Sequence, residues 1–180
     1  MTMAIVLEFT QTWLRDIYGW NANECSVQYQ ALPALDAPSF SVTIDDAGIE
    51  TGPDTTDSLK EITILDVGIW KRPEHLSIKD RRGKLKLPKD RYVITATMLN
   101  DLERNVIKAL HANYDYLVAI NQEYELPNSE LGSDFYRPLF YRGRSRMEVL
   151  GLEDETSTQS WFGYRLRFKG LEREHKLRSS

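Results

Sequence analysis

Between Val93 and His111 the apolar residues fall into a stripe that a helix gathers onto one face. Leu99, Leu102, Val106 and Leu110 recur at steps of three and four, and Ile107 widens the stripe. Asn100, Asp101, Arg104, Asn105 and Lys108 fall largely on the other side. On both flanks the period drops to two, in Ile62-Thr-Ile-Leu-Asp-Val-Gly-Ile-Trp70 before it and Trp161-Phe-Gly-Tyr-Arg-Leu-Arg-Phe-Lys169 after it. One amphipathic helix needs one partner surface, and a helix laid across an antiparallel sheet is the simplest way to bury all three segments. The expected fold is α+β, a single domain over residues 1–180. Its sheet is mostly antiparallel, with a long helix over about 97–111 across one face and an N-terminal helix.

The remaining segments fit that frame. Residues 4–18 read as a helix with Ile5, Phe9, Trp13 (or Thr12) and Ile17 on one face, ended by Gly19 and Asn21–Asn23, although residues 3–9 also suit a strand. Cys25–Gln30 is a short strand candidate. Pro33 and Pro38 make 32–38 a loop. Phe40, Val42 and Ile44 alternate with polar residues in a half-buried strand over 40–45. Residues 46–58 have loop chemistry, and 61–70 returns antiparallel to the strand before it. Strand 61–70 is apolar on both faces, which suits a central strand or one covered at an interface. Tyr114–Tyr124 reads as a further helix, closed by the Pro127–Ser133 run. Residues 146–150 and 161–169 are the last strands, joined by an acidic connection over 151–159. In the last, Trp161, Gly163, Arg165, Arg167 and Lys169 form a solvated or partner face opposite Phe162, Tyr164, Leu166 and Phe168. The tail 171–180 reads as frayed. Val67, Ile69, Leu102, Val106, Leu166 and Phe168 are the expected interior.

The charge distribution is uneven. The chain of 180 residues carries a net −4, yet residues 1–70 hold only Arg15 and Lys60 against eleven acids. Residues 71–91 hold nine basic residues against Glu74, Asp80 and Asp90, and ten more Lys and Arg follow from Arg137 onward. A chain acidic at one end and basic at the other can dock head to tail with its own copies, the plainer reading being solvated loops. Lys71–Lys89 reads as a projecting basic hairpin (about 75–88) turning at Arg82-Gly83-Lys84, with Pro88 suited to the helix entry.

Catalytic chemistry finds no footing. His75, His111 and His175 are widely separated and form no metal-ligating pair, Cys25 is the only cysteine, and no phosphate-binding loop or nucleophile elbow occurs. Asp45-Asp46 and Asp54/Asp57 suit loop solvation better than a cation site. The expectation is no enzyme, no metal and no cofactor. The apolar start Met1–Leu7 is followed at once by Glu8, which fits neither a signal peptide nor a membrane span.

The candidate interaction residues form two basic clusters. Lys79, Arg81, Arg82, Lys84, Lys86 and Lys89 would make a finger able to meet phosphates. Arg137, Arg142, Arg144 and Arg146 interleave with Tyr136 and Tyr141, as in single-strand binders. The acidity of the whole chain opposes a dedicated nucleic-acid role and favours protein–protein contact.

In element order the chain resembles the tail terminator (head–tail joining, minor tail) proteins of long-tailed bacteriophages and prophages. The residues carrying the resemblance are helix 4–18, Leu35-Asp-Ala-Pro-Ser-Phe-Ser-Val-Thr-Ile44, Glu61–Trp70, Met98–His111 and Ser160–Phe168. It spans nearly the whole chain, as a topology and not as a signature motif. The basic insertion 71–89 and the elaborated stretch 125–145 depart from it. The resemblance implies a virion structural protein whose subunits form a hexameric ring capping the tail tube. Its partners would be further copies of itself, the tail tube protein and a head-completion or connector protein, with sequence-independent DNA contact in the lumen possible. The implied location is the host cytoplasm during assembly, then the head-proximal end of the virion tail. The alternative is a small nucleic-acid-binding or phage regulatory module using 79–89 and 137–146.

Overall fold

The computed structural model describes residues 2–34, 36–37, 39–52, 58–71, 88–123, 135–149, 153–154, 157–158 and 161–176. Helix α1 (Thr2–Tyr18) leads into strand β1 (Cys25–Val27), a 3-10 turn (Tyr29–Ala31) and the long strands β2 (Phe40–Thr51) and β3 (Ser58–Lys71). Helices α2 (Pro88–Leu110) and α3 (Tyr114–Glu123) precede β4 (Phe140–Val149), a small hairpin β5 (Glu153–Asp154) and β6 (Ser157–Thr158), and β7 (Trp161–Lys176). The main sheet has the order β1-β2-β3-β7-β4 and is antiparallel except for the β1–β2 pair. This is the expected α+β fold. Strand β3 is central, which accounts for its apolar residues on both faces.

The described helices lie on one face. The stripe Leu99, Leu102, Val106 and Leu110 of α2 meets Leu65, Val67 and Ile69 of β3 and Leu166 and Phe168 of β7, all buried in one cluster. Val42 and Ile44 extend that layer across β2 toward Val6 and Leu14 of α1. The six residues expected inside are all buried. Polar groups tie the helix layer together. The Trp13 indole donates to the Ala109 carbonyl at 3.1 Å, and Thr10 shares a 2.8 Å hydrogen bond with the Tyr116 hydroxyl. Both satisfy groups that would otherwise be buried at a cost.

Several boundaries differ from the sequence reading, and the cause is local backbone irregularity. Strand β2 does not stop at residue 45. A bulge between Asp46 and Gly48 shifts its register, and the Asp46 carboxylate accepts the Gly48 N–H at 2.6 Å. Strand β4 starts at Phe140 and not at 146, with a register shift between Tyr141 and Arg144. Gly48 (φ 115°) and Gly143 (φ 117°) hold backbone conformations that a side chain resists. Strand β7 continues past Gly170 to Lys176, so residues 171–176 are a paired strand and not a frayed tail; 177–180 lie outside the described residues. At Gly170 an added Cβ would stand 2.1 Å from the Pro138 carbonyl oxygen, and beyond it Leu171 and Arg173 are buried. Helix α2 begins at Pro88, well before 97, with proline in the first turn where its missing N–H costs nothing.

The parallel β1–β2 pair requires a crossover, and residues 28–39 supply it over the sheet face opposite the helices. There Ala34 and Ala37 bury Trp70 and Trp161 in a small second cluster. Trp161, expected on a solvated or partner face, is therefore interior. The Trp70 indole N–H donates to the Ala31 carbonyl at 2.9 Å, which pins the crossover to the sheet.

Candidate functional site

The crossover covers only one end of that second face. Below it, alternate residues of β7 point away from the helices, and the register sets each opposite β3: Arg165 beside Gly68, Arg167 beside Asp66, Lys169 beside Ile64. Asp66 is the anchor. It is only 6% exposed, and its two carboxylate oxygens accept from Arg167 Nε and Nη2 at 2.9 and 3.0 Å. The hydrogen-bonded carboxylate raises the Arg167 guanidinium pKa above its usual value. Arg165 approaches the same carboxylate at 3.9 Å and donates to the Gln30 carbonyl at 2.7 Å. Gln30, at φ 57°, in turn donates its N–H to Asp45 at 2.6 Å, directly across β2–β3 from Asp66. The two opposed carboxylates thus coexist because guanidinium and amide donors compensate them.

Further along, Lys169 pairs with Glu50 at 2.6 Å, and Glu172 receives both Lys60 at 3.2 Å and Arg137 at 3.3 Å. Between these pairs lies an open depression of about 520 Å³ whose walls include Glu50, Arg137, Arg142, Arg167 and Lys169. A second, of about 300 Å³, is walled by Arg142, Gly143, Arg144, Ser145, Arg165 and Arg167, with no acid among the described residues of its lining. Arg142 borders both and is exposed. In a chain of net negative charge, this face concentrates guanidinium groups on flat, water-exposed β structure.

The sequence candidates divide. Arg137 and Arg142 converge on the charged face. Arg144 alternates to the helix side, where it pairs with Glu103 of α2 and lies over the Tyr164 ring at 4.4 Å. It clamps α2 to the edge strand, so the 137–146 cluster is not one surface. Lys79, Arg81, Arg82, Lys84 and Lys86 lie outside the described residues, as does the hairpin expected at 75–88. Lys89 is in the first turn of α2, with its side chain outside the described set. Arg165, Arg167 and Lys169 were legible as one face of a strand, yet they were not singled out as site residues. Their long-range partners Glu50 and Asp66 have no local signal, nor has Glu172, which pairs with Lys60 and Arg137.

Two reactive groups elsewhere, His111 and Cys25, are respectively hydrogen-bonded and buried. His111 Nδ1 accepts the Tyr141 backbone N–H at 2.9 Å. Burial pushes the Cys25 thiol up to about 12, with Arg15 pulling slightly the other way. Among the described residues no group of three or more His, Cys, Asp and Glu is placed to hold a metal ion, and no helix is long and apolar enough to cross a membrane. The arrangement suits recognition of another charged surface. No protein-family model and no curated protein matches the chain.

Proposed function

We propose that this chain is a structural subunit of the tail-terminator type, assembling into a closed, hexameric ring that caps a virion tail tube and joins it to the head. The observation that carries the reading is the one-sided sheet. The described helices cover one face, while the other keeps a lattice of ion pairs and two open depressions below the crossover. A two-layer subunit with a wide charged face suits assembly, because such a face excludes wrong partners and steers right ones while apolar contacts supply affinity. In this role the protein has no substrate and no cofactor. Its partners are its own copies, the tube below and a connector above. Its place is the host cytoplasm during assembly and then the head-proximal end of the tail. Native mass spectrometry of the purified chain tests the reading: it predicts one dominant closed oligomer, and a chain that stays monomeric at its highest soluble concentration counts against it.

A second reading, a module that grips nucleic-acid backbones, draws on the acid-free depression around Arg142, Arg165 and Arg167. Phosphate contacts of this kind depend steeply on salt. Tight, salt-sensitive binding of random-sequence DNA by a monomer would favour this reading over the ring.

A further inference from the structure

Among the described residues, strand β4 and part of β2 each have an outer edge that pairs with no strand. Strand β4 is the last strand on one side. On the other side β1 pairs only with Val42–Ile44, so among the described residues the outer edge of β2 over 45–51 pairs with no strand. The open part of β2 carries Asp45, Asp46 and Glu50, the last paired with Lys169, and no basic residue; β4 carries Arg142, Arg146 and Arg144, the last paired with Glu103, against Glu148 alone. Unpaired edges are templates for pairing with another chain. Here the charges decide with which edge: β4 against β4 sets arginines together, and β2 against β2 sets carboxylates together.

We propose that neighbouring copies join edge to edge, β4 of one against residues 45–51 of β2 of the next, so that the sheet continues through the assembly. This deepens the ring reading and rests on it. Strand direction allows it: β2 to β3, β3 to β7 and β7 to β4 are each antiparallel, so β4 runs opposite to β2, and a second copy set beside the first keeps the alternation. Main-chain hydrogen bonds then supply the join, as when a strand is added to a sheet. Ile49, 48% exposed on the open part of β2, adds an apolar contact. His111 caps only the Tyr141 N–H at the start of β4, and Arg142, Ser145 and Arg146 beyond it are exposed. The contact is heterologous, using a different edge on each copy. When it closes into a ring, every β4 and every open part of β2 is paired, and the short β1 stays outside the join.

Charge reversal at each edge tests this. Arg142→Glu with Ser145→Glu leaves both edges net acidic; Glu50→Lys with Thr51→Lys cancels the negative charge of the open part of β2 and sets two lysines at its end, facing the arginines of β4. Each pair of substitutions alone is expected to shift the protein to monomer in sizing and native mass spectrometry, with a dissociation constant raised by about tenfold or more. An equimolar mixture of the two variants is expected to reassemble as an alternating ring, which also shows that both are folded. Either variant assembling as the wild type does, or a mixture that stays monomeric, overturns edge pairing while leaving the ring standing on other contacts. A wild-type chain that never assembles overturns the ring, and edge pairing with it.

Discussion

Asp66 carries its carboxylate beneath two guanidinium groups while only 6% exposed, so its removal exposes the electrostatics of the uncovered face directly. Asp66→Asn keeps the shape and loses the charge. It is expected to lower unfolding stability by about 1 kcal/mol in denaturant titration, because the charge-assisted pair is lost while the Arg167 guanidinium, 48% exposed, stays hydrated. Arg142 and Arg144 separate the two faces at the same scale. Arg144→Ala removes the Glu103 pair and the Tyr164 contact and is expected to cost about 1 kcal/mol. Arg142→Ala, with no such contacts among the described residues, should leave the melting temperature of the monomer unchanged. Cys25 offers a pH test. Its folded pKa of about 12 against an ordinary 9 leaves about a thousandfold less thiolate at pH 8 than in the unfolded chain, so alkylation should be slower by that order until denaturant is added. The sign for stability follows: the unfolded thiol loses its proton first, so this group's contribution to stability falls as pH rises from 9 toward 12.

At the scale of elements, what was legible in the sequence and what was not have one cause. Segments with unbroken periodicity, such as Leu99–Leu110 or Phe162–Phe168, were readable because each residue votes for the same face. Where a bulge inserts one residue the alternation inverts, which gives 46–51 the look of a loop and hides 140–145 as a strand. The charged face was half visible, since Arg165, Arg167 and Lys169 alternate locally. Its acids come from β2, β3 and the far end of β7, and only the register brings them together. The division of Arg142 from Arg144 was likewise hidden, because it depends on the bulge at Gly143. Gly143→Val should therefore strain the edge, lowering stability by about 1–2 kcal/mol and releasing Arg144 from Glu103. In the helix layer, Leu110→Ala opens a cavity in the main cluster and is expected to cost about 2–5 kcal/mol.

At the scale of the whole molecule, the described residues form a layer of helices on a sheet whose second face they only partly roof and whose unpaired edges on β2 and β4 differ in charge. Association of such copies through rim charges should weaken as salt rises, since exposed pairs are screened over about 10 Å at 0.1 M ionic strength. Backbone pairing and apolar contact between copies should persist. Native mass spectrometry and sizing across a salt series therefore test the central claim, that this chain is a ring-forming subunit. The account predicts a single closed oligomer, six copies by the resemblance, most populated at low salt and weakened, without unfolding, as salt increases. A monomer at every concentration and salt, or an open-ended ladder of oligomers without a dominant closed species, would contradict it.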